Sequence, residues 1–256
     1  MPRISRFVAG GIVAGVLGLC GAAQATVLAS EDFSYADGAL AGNNGGIGWA
    51  GAWVHGSSAP GQVADGAAAL QAGRSFRSFD TPISTAAGNR IYIGFDLRLA
   101  NTVNPGFLGL SFFSGSQEAL FLGADGSFRL AAGGSVTSAA PLPVSDTHSY
   151  IVAEIVFLAS QTFSVNMYLE PVGTTLGTAY ASCTACASRG ASWDRIRLAA
   201  GAYTSDEPRP IATYDNLVIG TELADVMQVP EPSTLALLAV AALGLVHKRR
   251  PRKGAK

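Results

Sequence analysis

The fold of this chain is decided by the stretch Ile91-Tyr92-Ile93-Gly94-Phe95-Asp96-Leu97-Arg98-Leu99. Apolar residues occupy every odd position, and tyrosine, glycine, aspartate and arginine occupy the even ones. Successive side chains of a strand point to opposite faces, so a period of two predicts a strand with one buried face.

Segments of the same character lie further along the chain. Residues 163–169 alternate in the same way, and residues 150–158 are predicted to form a more continuously apolar strand. A hairpin is predicted around the turn signal Ala124-Asp125-Gly126-Ser127, and further strands at residues 107–113, 195–199 and 213–219. Almost no helical periodicity is present, so many short strands with Gly-rich turns predict an all-β sandwich or jelly roll.

The two flanks of this predicted domain carry a family resemblance. The opening Glu31-Asp32-Phe33-Ser34-Tyr35-Ala36-Asp37-Gly38, then Asn43-Asn44-Gly45-Gly46-Ile47-Gly48-Trp49 and Trp53, resembles exported bacterial proteins with a concanavalin A-like, or laminin-G-like, jelly roll. Tyr214-Asp215-Asn216-Leu217-Val218-Ile219-Gly220-Thr221 resembles their final strand. The resemblance implies a concanavalin A-like jelly-roll sandwich over residues 26–228. Laminin-G-like domains often bind glycans or proteins and commonly hold calcium, but the fold hosts many functions.

The N-terminus is organised as a secretory signal peptide. Arg3 and Arg6 precede an apolar, Gly-rich stretch, and Ala23-Gln24-Ala25 is a small-x-small cleavage site. We therefore expect residues 1–25 to be removed and the mature chain to begin at Thr26. The alternative, a lipoprotein anchored at Cys20, is disfavoured because Leu19 stands where a lipobox requires a small residue.

The C-terminus carries Pro230-Glu231-Pro232, then an apolar run over residues 235–246, then a basic cluster. This order resembles the PEP-CTERM sorting signal, which in its family is recognised and removed by an exosortase. We expect residues 229–256 to be this signal, with a short transmembrane segment at residues 233–247 and a cytoplasmic basic tail. The resemblance implies export, a transient anchor in the inner membrane, and delivery to the cell surface or an exopolysaccharide matrix. The alternative, a buried C-terminal helix, fits the basic tail poorly.

The charge of the exported part excludes one class of partner. Between the two signals lie nine basic residues, all arginine, and 17 acidic residues, which leaves a net charge of −8. Phosphate binding needs clustered Lys and Arg, so a nucleic-acid partner is not expected. An acidic surface instead suits cations or neutral glycans.

Two pairs of residues are candidate binding groups. Trp49 and Trp53, beside an Asn/Gly-rich loop, could offer a stacking platform to a sugar, although large aromatics near strands usually belong to a core. Asp32 and Asp215 could share a calcium ion if the first and last strands pair as the resemblance implies, because a hard cation needs several oxygen ligands. Their alternative is surface carboxylates or turn caps.

Catalytic patterns are not evident in the sequence. Concanavalin A-like glycosidases carry their carboxylates in a Glu-x-Asp-x-x-Glu arrangement, and no such spacing surrounds Glu31, Glu118, Glu154 or Glu170. His55 and His148 are far apart, with no nucleophile or metal-ligand motif near either. We therefore expect a non-enzymatic glycan-binding or structural module, and an extracellular polysaccharide-degrading glycosidase is the alternative.

Cys183-Thr184-Ala185-Cys186 is the remaining motif. Two cysteines cannot supply the four ligands of a structural zinc site, and no thioredoxin-like context surrounds them. After export we expect them to form a disulfide that tightens a loop between Tyr180 and Trp193, with free thiols as the alternative.

Overall fold

The computed structural model describes residues 26–56, 59–99, 107–124, 127–132, 135–141, 148–159, 161–173, 175–201 and 211–227. Within these ranges the chain forms two antiparallel sheets that pack face to face as a jelly-roll-like β-sandwich. The fold class predicted from the period-two alternation is therefore confirmed.

The strands alternate with short connections along the whole described chain. In order they are β1 (Val27–Glu31), β2 (Gly38–Ala39), β3 (Val54–His55), β4 (Gln62–Ala64), β5 (Ala67–Gln71), β6 (Gly73–Ser84), β7 (Arg90–Leu99) and β8 (Phe107–Ser114). They continue with β9 (Gln117–Ala124), β10 (Ser127–Ala132), β11 (Ser135–Pro141), β12 (His148–Leu158), β13 (Thr162–Leu169), β14 (Ala181–Ala187), β15 (Ser192–Gly201) and β16 (Ile211–Gly220). One short helix, α1 (Leu223–Val226), follows β16.

The first and last strands pair in the centre of the sandwich. The first sheet has nine strands in the order β14-β13-β12-β7-β16-β5-β4-β2, with β1 also paired to β16. β5 occupies the first half of one edge of β16, and β1 occupies the second half, with Glu31 opposite Leu217. The second sheet has seven strands in the order β11-β10-β9-β8-β15-β6-β3. The pairing of the termini that the resemblance implies is therefore present.

The core lies between the inner faces of the two sheets. The odd-numbered apolar residues of β7 point inward, as their spacing predicts. Trp193 of β15 fills the centre, with its ring 5.1 Å from that of Phe112 and 5.0 Å from that of Phe157. Burial of each such side chain contributes on the order of 1.5–3 kcal/mol, so the mixed apolar layer holds the sheets together.

The strands β2 to β6, β11 and β14 have no counterpart among the predictions. β6 was not predicted because its inward positions are Gly73, Ser75, Arg77 and Phe79, which break the apolar alternation. β14 corrects the expectation of a loop between Tyr180 and Trp193, because Ala181–Ala187 is the edge strand of the first sheet. Its alternation is weak because only two of its seven residues are buried, Ala181 and Cys186.

A second, smaller apolar cluster lies on the outer face of the first sheet. Tyr92, Tyr150 and Val152 project there from β7 and β12, and Val226 and Met227 cover them. The segment that contains α1 thus folds back over the sheet from the end of β16. This covering segment forms one wall of the candidate site.

Candidate functional site

The two tryptophans belong to a buried network around Glu31, the last residue of β1. Trp53 is 1% exposed, and its Nε1–H donates to Glu31 Oε2 over 3.1 Å. Trp49 is half-buried, donates from Nε1 to the carbonyl of Ser30 over 2.8 Å, and stacks on Phe79 with 5.2 Å between ring centroids. The sugar-stacking hypothesis is therefore wrong for Trp53, because a ring closed off from solvent cannot contact a glycan.

A buried ion pair is the centre of this network. The guanidinium of Arg77 donates to Glu31 Oε2, and both side chains are fully buried. Arg77 also donates to the carbonyls of Gly51 and Gly45 and to Asn44 Oδ1 over 2.8–2.9 Å. Its Cζ lies 5.0 Å from the Trp49 ring centroid and 5.6 Å from that of Trp53. A buried ion pair is tolerated only when its remaining donors are satisfied, and here carbonyls of the 43–53 loop satisfy them.

The Asn/Gly-rich loop is shaped by close contact with β1 rather than by a ligand. Gly46 and Gly48 have φ angles of +68° and +80°. A Cβ atom at either residue would lie 2.0 Å from a carbonyl oxygen of β1, from Ser30 or Leu28 respectively. Only glycine fits such positions, which explains the composition of this loop.

The calcium candidates lie near each other, at the end of β1 beside β16. Asp215 lies opposite Asp96 of β7 in the sheet register, and the β16 bulge that follows places Asn216 at a φ of +48°. Burial raises the pKa of the Asp215 carboxyl, and the neighbouring carboxylates of Asp96 and Asp32 raise it further, against a hydrogen bond from the Asn216 amide. Asp96 and Asp32 therefore both lie close enough to Asp215 for their charges to act on it.

Asp96 is the most buried member of this carboxylate group. Its Oδ2 accepts a 2.7 Å hydrogen bond from Asn216 Nδ2. The Nε2 of His148, the exposed first residue of β12, lies 3.2 Å from Asp96 Oδ1. That contact lacks hydrogen-bond alignment, so Asp96 Oδ1 has no hydrogen bond from the described residues.

A cleft of about 560 Å³ opens next to this group on the outer face of the first sheet. Its lining includes Ser30, Asp32, Tyr150, Asn216 and Asp225. Asp225 is fixed by the helix start, where its Oδ2 accepts the backbone N–H of Glu222 over 2.9 Å. The hydroxyl of Tyr150 donates to the carbonyl of Val226, and burial raises the pKa of that hydroxyl far above its usual value. Asp32 and Asp225 therefore place two carboxylates, which are hydrogen-bond acceptors, in the lining of the cleft.

No group of three or more His, Cys, Asp or Glu with metal-binding geometry occurs within the described ranges. Asp32 Oδ1 instead accepts the N–H of Ser34 over 3.2 Å, and Asp215 Oδ1 accepts that of Asn216 over 2.7 Å. Both carboxylates thus cap local turns, the alternative that the sequence left open. Calcium binding by this pair stays a prediction.

Glu154 and His55 lie apart from the cleft lining. Glu154 lies on the outer face of β12, where Oε1 accepts the Tyr92 hydroxyl over 3.1 Å and lies 3.3 Å from Arg90 Nη1. His55 ends the short, exposed strand β3 at the edge of the second sheet. The outward orientation of Glu154 agrees with its position in the strand pattern.

A disulfide joins Cys183 and Cys186, whose Cα atoms are 5.9 Å apart. Phe163 pairs with Cys186 and Val165 with Cys183, so the two residues between the cysteines oppose the single residue Ser164. The disulfide therefore spans a β-bulge in the edge strand β14. Bulges at sheet edges discourage pairing with a second chain, and this cross-link holds the bulge in place.

The processing residues lie outside the described part of the chain, except for Thr26. Those outside are Ala25, Pro230, Glu231, Pro232 and the expected transmembrane segment at 233–247. Within the described ranges, no helix has the length and apolar character that a bilayer crossing requires.

Three members of the site were not identified from the sequence, namely Asp96, Asn216 and Asp225. Asp96 occupies a polar position of the strand pattern, which indicated only that it faces away from the core. Asn216 lies inside a predicted strand, and asparagine tolerates a positive φ angle better than most residues. Its presence there was therefore the one sequence feature that indicated a bulge. Nothing in the sequence indicated that Asp225 would fold back against Gly220 of β16.

Comparison with known proteins identifies the C-terminal segment. The model of the PEP-CTERM protein-sorting motif matches residues 228–252, which begin directly after the last described residue. The chain therefore carries a signal for export and sorting to the cell surface or extracellular space. Comparison with curated protein sequences gives no match.

Solved structures with a similar fold include carbohydrate-active and binding proteins. The binding domain of botulinum neurotoxin serotype C1 is 10% identical with a TM-score of 0.51, over 76% of this chain and 51% of that chain. An alginate lyase is 14% identical with a TM-score of 0.47, over 74% and 95% of the two chains. Domain 4 of an extracellular arabinanase from Geobacillus stearothermophilus, solved with arabinotriose, is 16% identical with a TM-score of 0.47, over 79% and 97%. At such identities the likeness concerns the fold alone.

Proposed function

We propose that this chain is an exosortase-processed protein of the cell surface or exopolysaccharide matrix whose jelly roll binds a neutral glycan without cleaving it. The proposed processing and sorting of the chain are supported by the motif at residues 228–252. In this proposal the C-terminal segment anchors the chain transiently in the inner membrane until the exosortase removes it.

The proposal that the domain binds a glycan depends on one observation, the acceptor-rich cleft on the outer face of the first sheet. Its volume of about 560 Å³ suits a short oligosaccharide. The hydroxyl groups of a sugar donate to carboxylates such as Asp32, and charge-assisted hydrogen bonds are stronger than neutral ones. The surrounding carboxylates Asp96 and Asp215 would repel an anionic sugar, so the favoured ligand is neutral.

One observation favours the alternative of a glycosidase. Burial and neighbouring charges raise the pKa of Asp215, and Asp32 is one of those neighbours. A carboxyl with a raised pKa beside a second carboxyl is the usual arrangement of acid and base in glycoside hydrolysis. However, Asp215 lies beside the cleft rather than in its lining, and its Oδ1 is held by the Asn216 amide. We therefore favour binding over catalysis.

A neutral-glycan array probed with protein from an exporting host tests the proposal. Asp32→Ala should weaken binding about tenfold, since a hydrogen bond to a charged group contributes ~1.5–3 kcal/mol. Asp80→Ala is the matched control, because Asp80 is an exposed aspartate of β6 in the other sheet. Binding that Asp32→Ala leaves unchanged would contradict the cleft, and release of new reducing ends from a bound glycan would favour the glycosidase.

A further inference from the structure

Four of the nine arginines between the two signals lie on one surface, the outer face of the second sheet. They alternate across the strands with phenylalanines. We define the arginine–phenylalanine face as Arg74, Phe76, Phe107, Phe113, Phe121, Arg129, Arg195 and Arg197. The domain as a whole has a net charge of −8, so this clustering separates positive charge from the acidic first sheet.

The arginines of β15 are held by aromatic rings of the neighbouring strands. Arg195 Cζ lies 5.3 Å from the ring centroids of both Phe76 and Phe113, and Arg197 Cζ lies 5.0 Å from that of Phe113. Nη2 of Arg197 also donates to Ser111 Oγ over 2.9 Å and to Glu118 Oε1 over 2.6 Å. These contacts fix the guanidinium orientation, so little conformational entropy would be lost on ligand binding.

A cavity of about 250 Å³ opens within this face. Among the described residues, its lining includes three guanidiniums and one carboxylate, from Arg74, Arg129, Arg197 and Glu118. Phe107 and Phe121 form apolar walls, and glycines lie beneath both rings. A Cβ atom on Gly109 or Gly201 would lie 2.9 Å from the ring of Phe121 or Phe107, respectively. The rings therefore rest directly on the backbone and leave the cavity open.

Arg197 is the guanidinium of this cavity whose surroundings are described most fully. Desolvation lowers the pKa of the Arg197 guanidinium against the opposing effect of Glu118, and the charge of Arg74 lowers it further. The Nε–H of Arg197 is buried and has no hydrogen-bond acceptor among the described residues. A bound anion would offset the repulsion between the guanidiniums of Arg74 and Arg197.

We propose that this cavity binds the carboxylate of a uronic acid residue in an acidic polysaccharide. A guanidinium matches a carboxylate with two parallel hydrogen bonds, and aromatic walls accept the C–H faces of a sugar ring. The ring walls favour a carboxylated sugar over a free inorganic anion. This proposal shares with the proposed function only the location of the protein outside the cell. The cavity itself is a separate site, because it lies on the opposite sheet from the acidic cleft.

Isothermal titration of the full chain with trigalacturonate tests the proposal. Arg74→Gln should weaken binding about tenfold, because it removes a charge-assisted contact at an exposed residue. Glu118→Gln should strengthen binding roughly threefold or more, because it removes the competing carboxylate from Arg197. Arg189→Gln is the matched control, since it deletes the same charge from an exposed loop outside the cavity.

The outcomes separate this site from the acidic cleft. Asp32→Ala should leave trigalacturonate binding unchanged, even if it removes binding of a neutral glycan. An equal loss in Arg74→Gln and Arg189→Gln would overturn the proposal, because binding would then follow net charge alone. Displacement of trigalacturonate by inorganic phosphate at equal concentration would overturn the assignment to a sugar.

Discussion

Replacing Arg77 by methionine is expected to destabilise the domain by about 3–5 kcal/mol, the usual cost of removing one partner from a buried ion pair. The substitution keeps an apolar side chain of similar length but leaves Glu31 fully buried without its cation. The remaining partners of the carboxylate are Phe33 N–H, Tyr35 O–H and Trp53 Nε1–H, at 3.0, 2.7 and 3.1 Å. For a domain of this size the loss corresponds to a fall in Tm of roughly 6–20 °C.

A double-mutant cycle separates the ion pair from simple loss of packing. Glu31→Gln leaves Arg77 buried and unpaired, so it should also cost about 3–5 kcal/mol. The double variant leaves neither charge unpaired, and its cost should be about 2–3 kcal/mol smaller than the sum of the two single costs. Arg189→Met, at an exposed loop residue, should change stability by no more than about 0.5 kcal/mol.

Urea unfolding followed by tryptophan fluorescence measures these free energies. Trp49 and Trp53 lie 5.0 and 5.6 Å from the Arg77 guanidinium, so their emission also reports on the network directly. Single-variant costs below about 1 kcal/mol, or costs that simply add in the double variant, would refute the reasoning.

Further predictions concern processing, oxidation, protonation and calcium. In cells that contain an exosortase, mass spectrometry of the surface fraction should find chains that end close to Val229, and recovery of intact Lys256 there would contradict removal of the tail. Exported protein should resist alkylation without reductant at Cys183 and Cys186, which form the disulfide. The raised pKa of Asp215 means that its stabilising effect is full below the unfolded pKa of about 4 and is lost as pH rises through the folded pKa. Asp215→Asn should therefore raise the free energy of unfolding at pH 7 in chelator, and the gain should vanish in acid. If Asp32 and Asp215 share calcium, saturation to ~100 times the dissociation constant should add about 2.7 kcal/mol and Asp215→Ala should abolish the gain, whereas identical melting curves with calcium and chelator would exclude it.

The strands of the middle of the chain were predictable because one face of each is apolar. In β7 and β13 apolar and polar residues alternate, as is typical of half-buried strands, whereas β12 is more continuously apolar. All three strands form where the sequence predicts them. β6 was not predictable, because its inward residue Arg77 is stabilised by Glu31, 46 residues away. No local pattern contains the information that a charged side chain has a buried partner at that distance.

The candidate site divides in the same way. Asp32 and Asp215 were selected from the sequence because the resemblance pairs the terminal strands, and β1 does pair with β16. Trp53 was misassigned because aromatic composition does not distinguish a solvent-facing ring from one that donates to a buried carboxylate. The arginine–phenylalanine face was also missed, since its members come from β6, β8, β9, β10 and β15 and meet only through strand pairing.

The sequence by itself determined the sorting motif and the all-β class, because contiguous chemistry encodes the first and a period of two encodes the second. Only the tertiary structure decided which polar residues meet. Sheet order places Asp96 beside Asp215 and closes a cleft with α1, whereas β15 brings Arg197 beside Ser111 and Phe76. Charge on one face of a sheet depends on the register between strands distant in sequence, so it is a property of the packed sandwich and not of any segment.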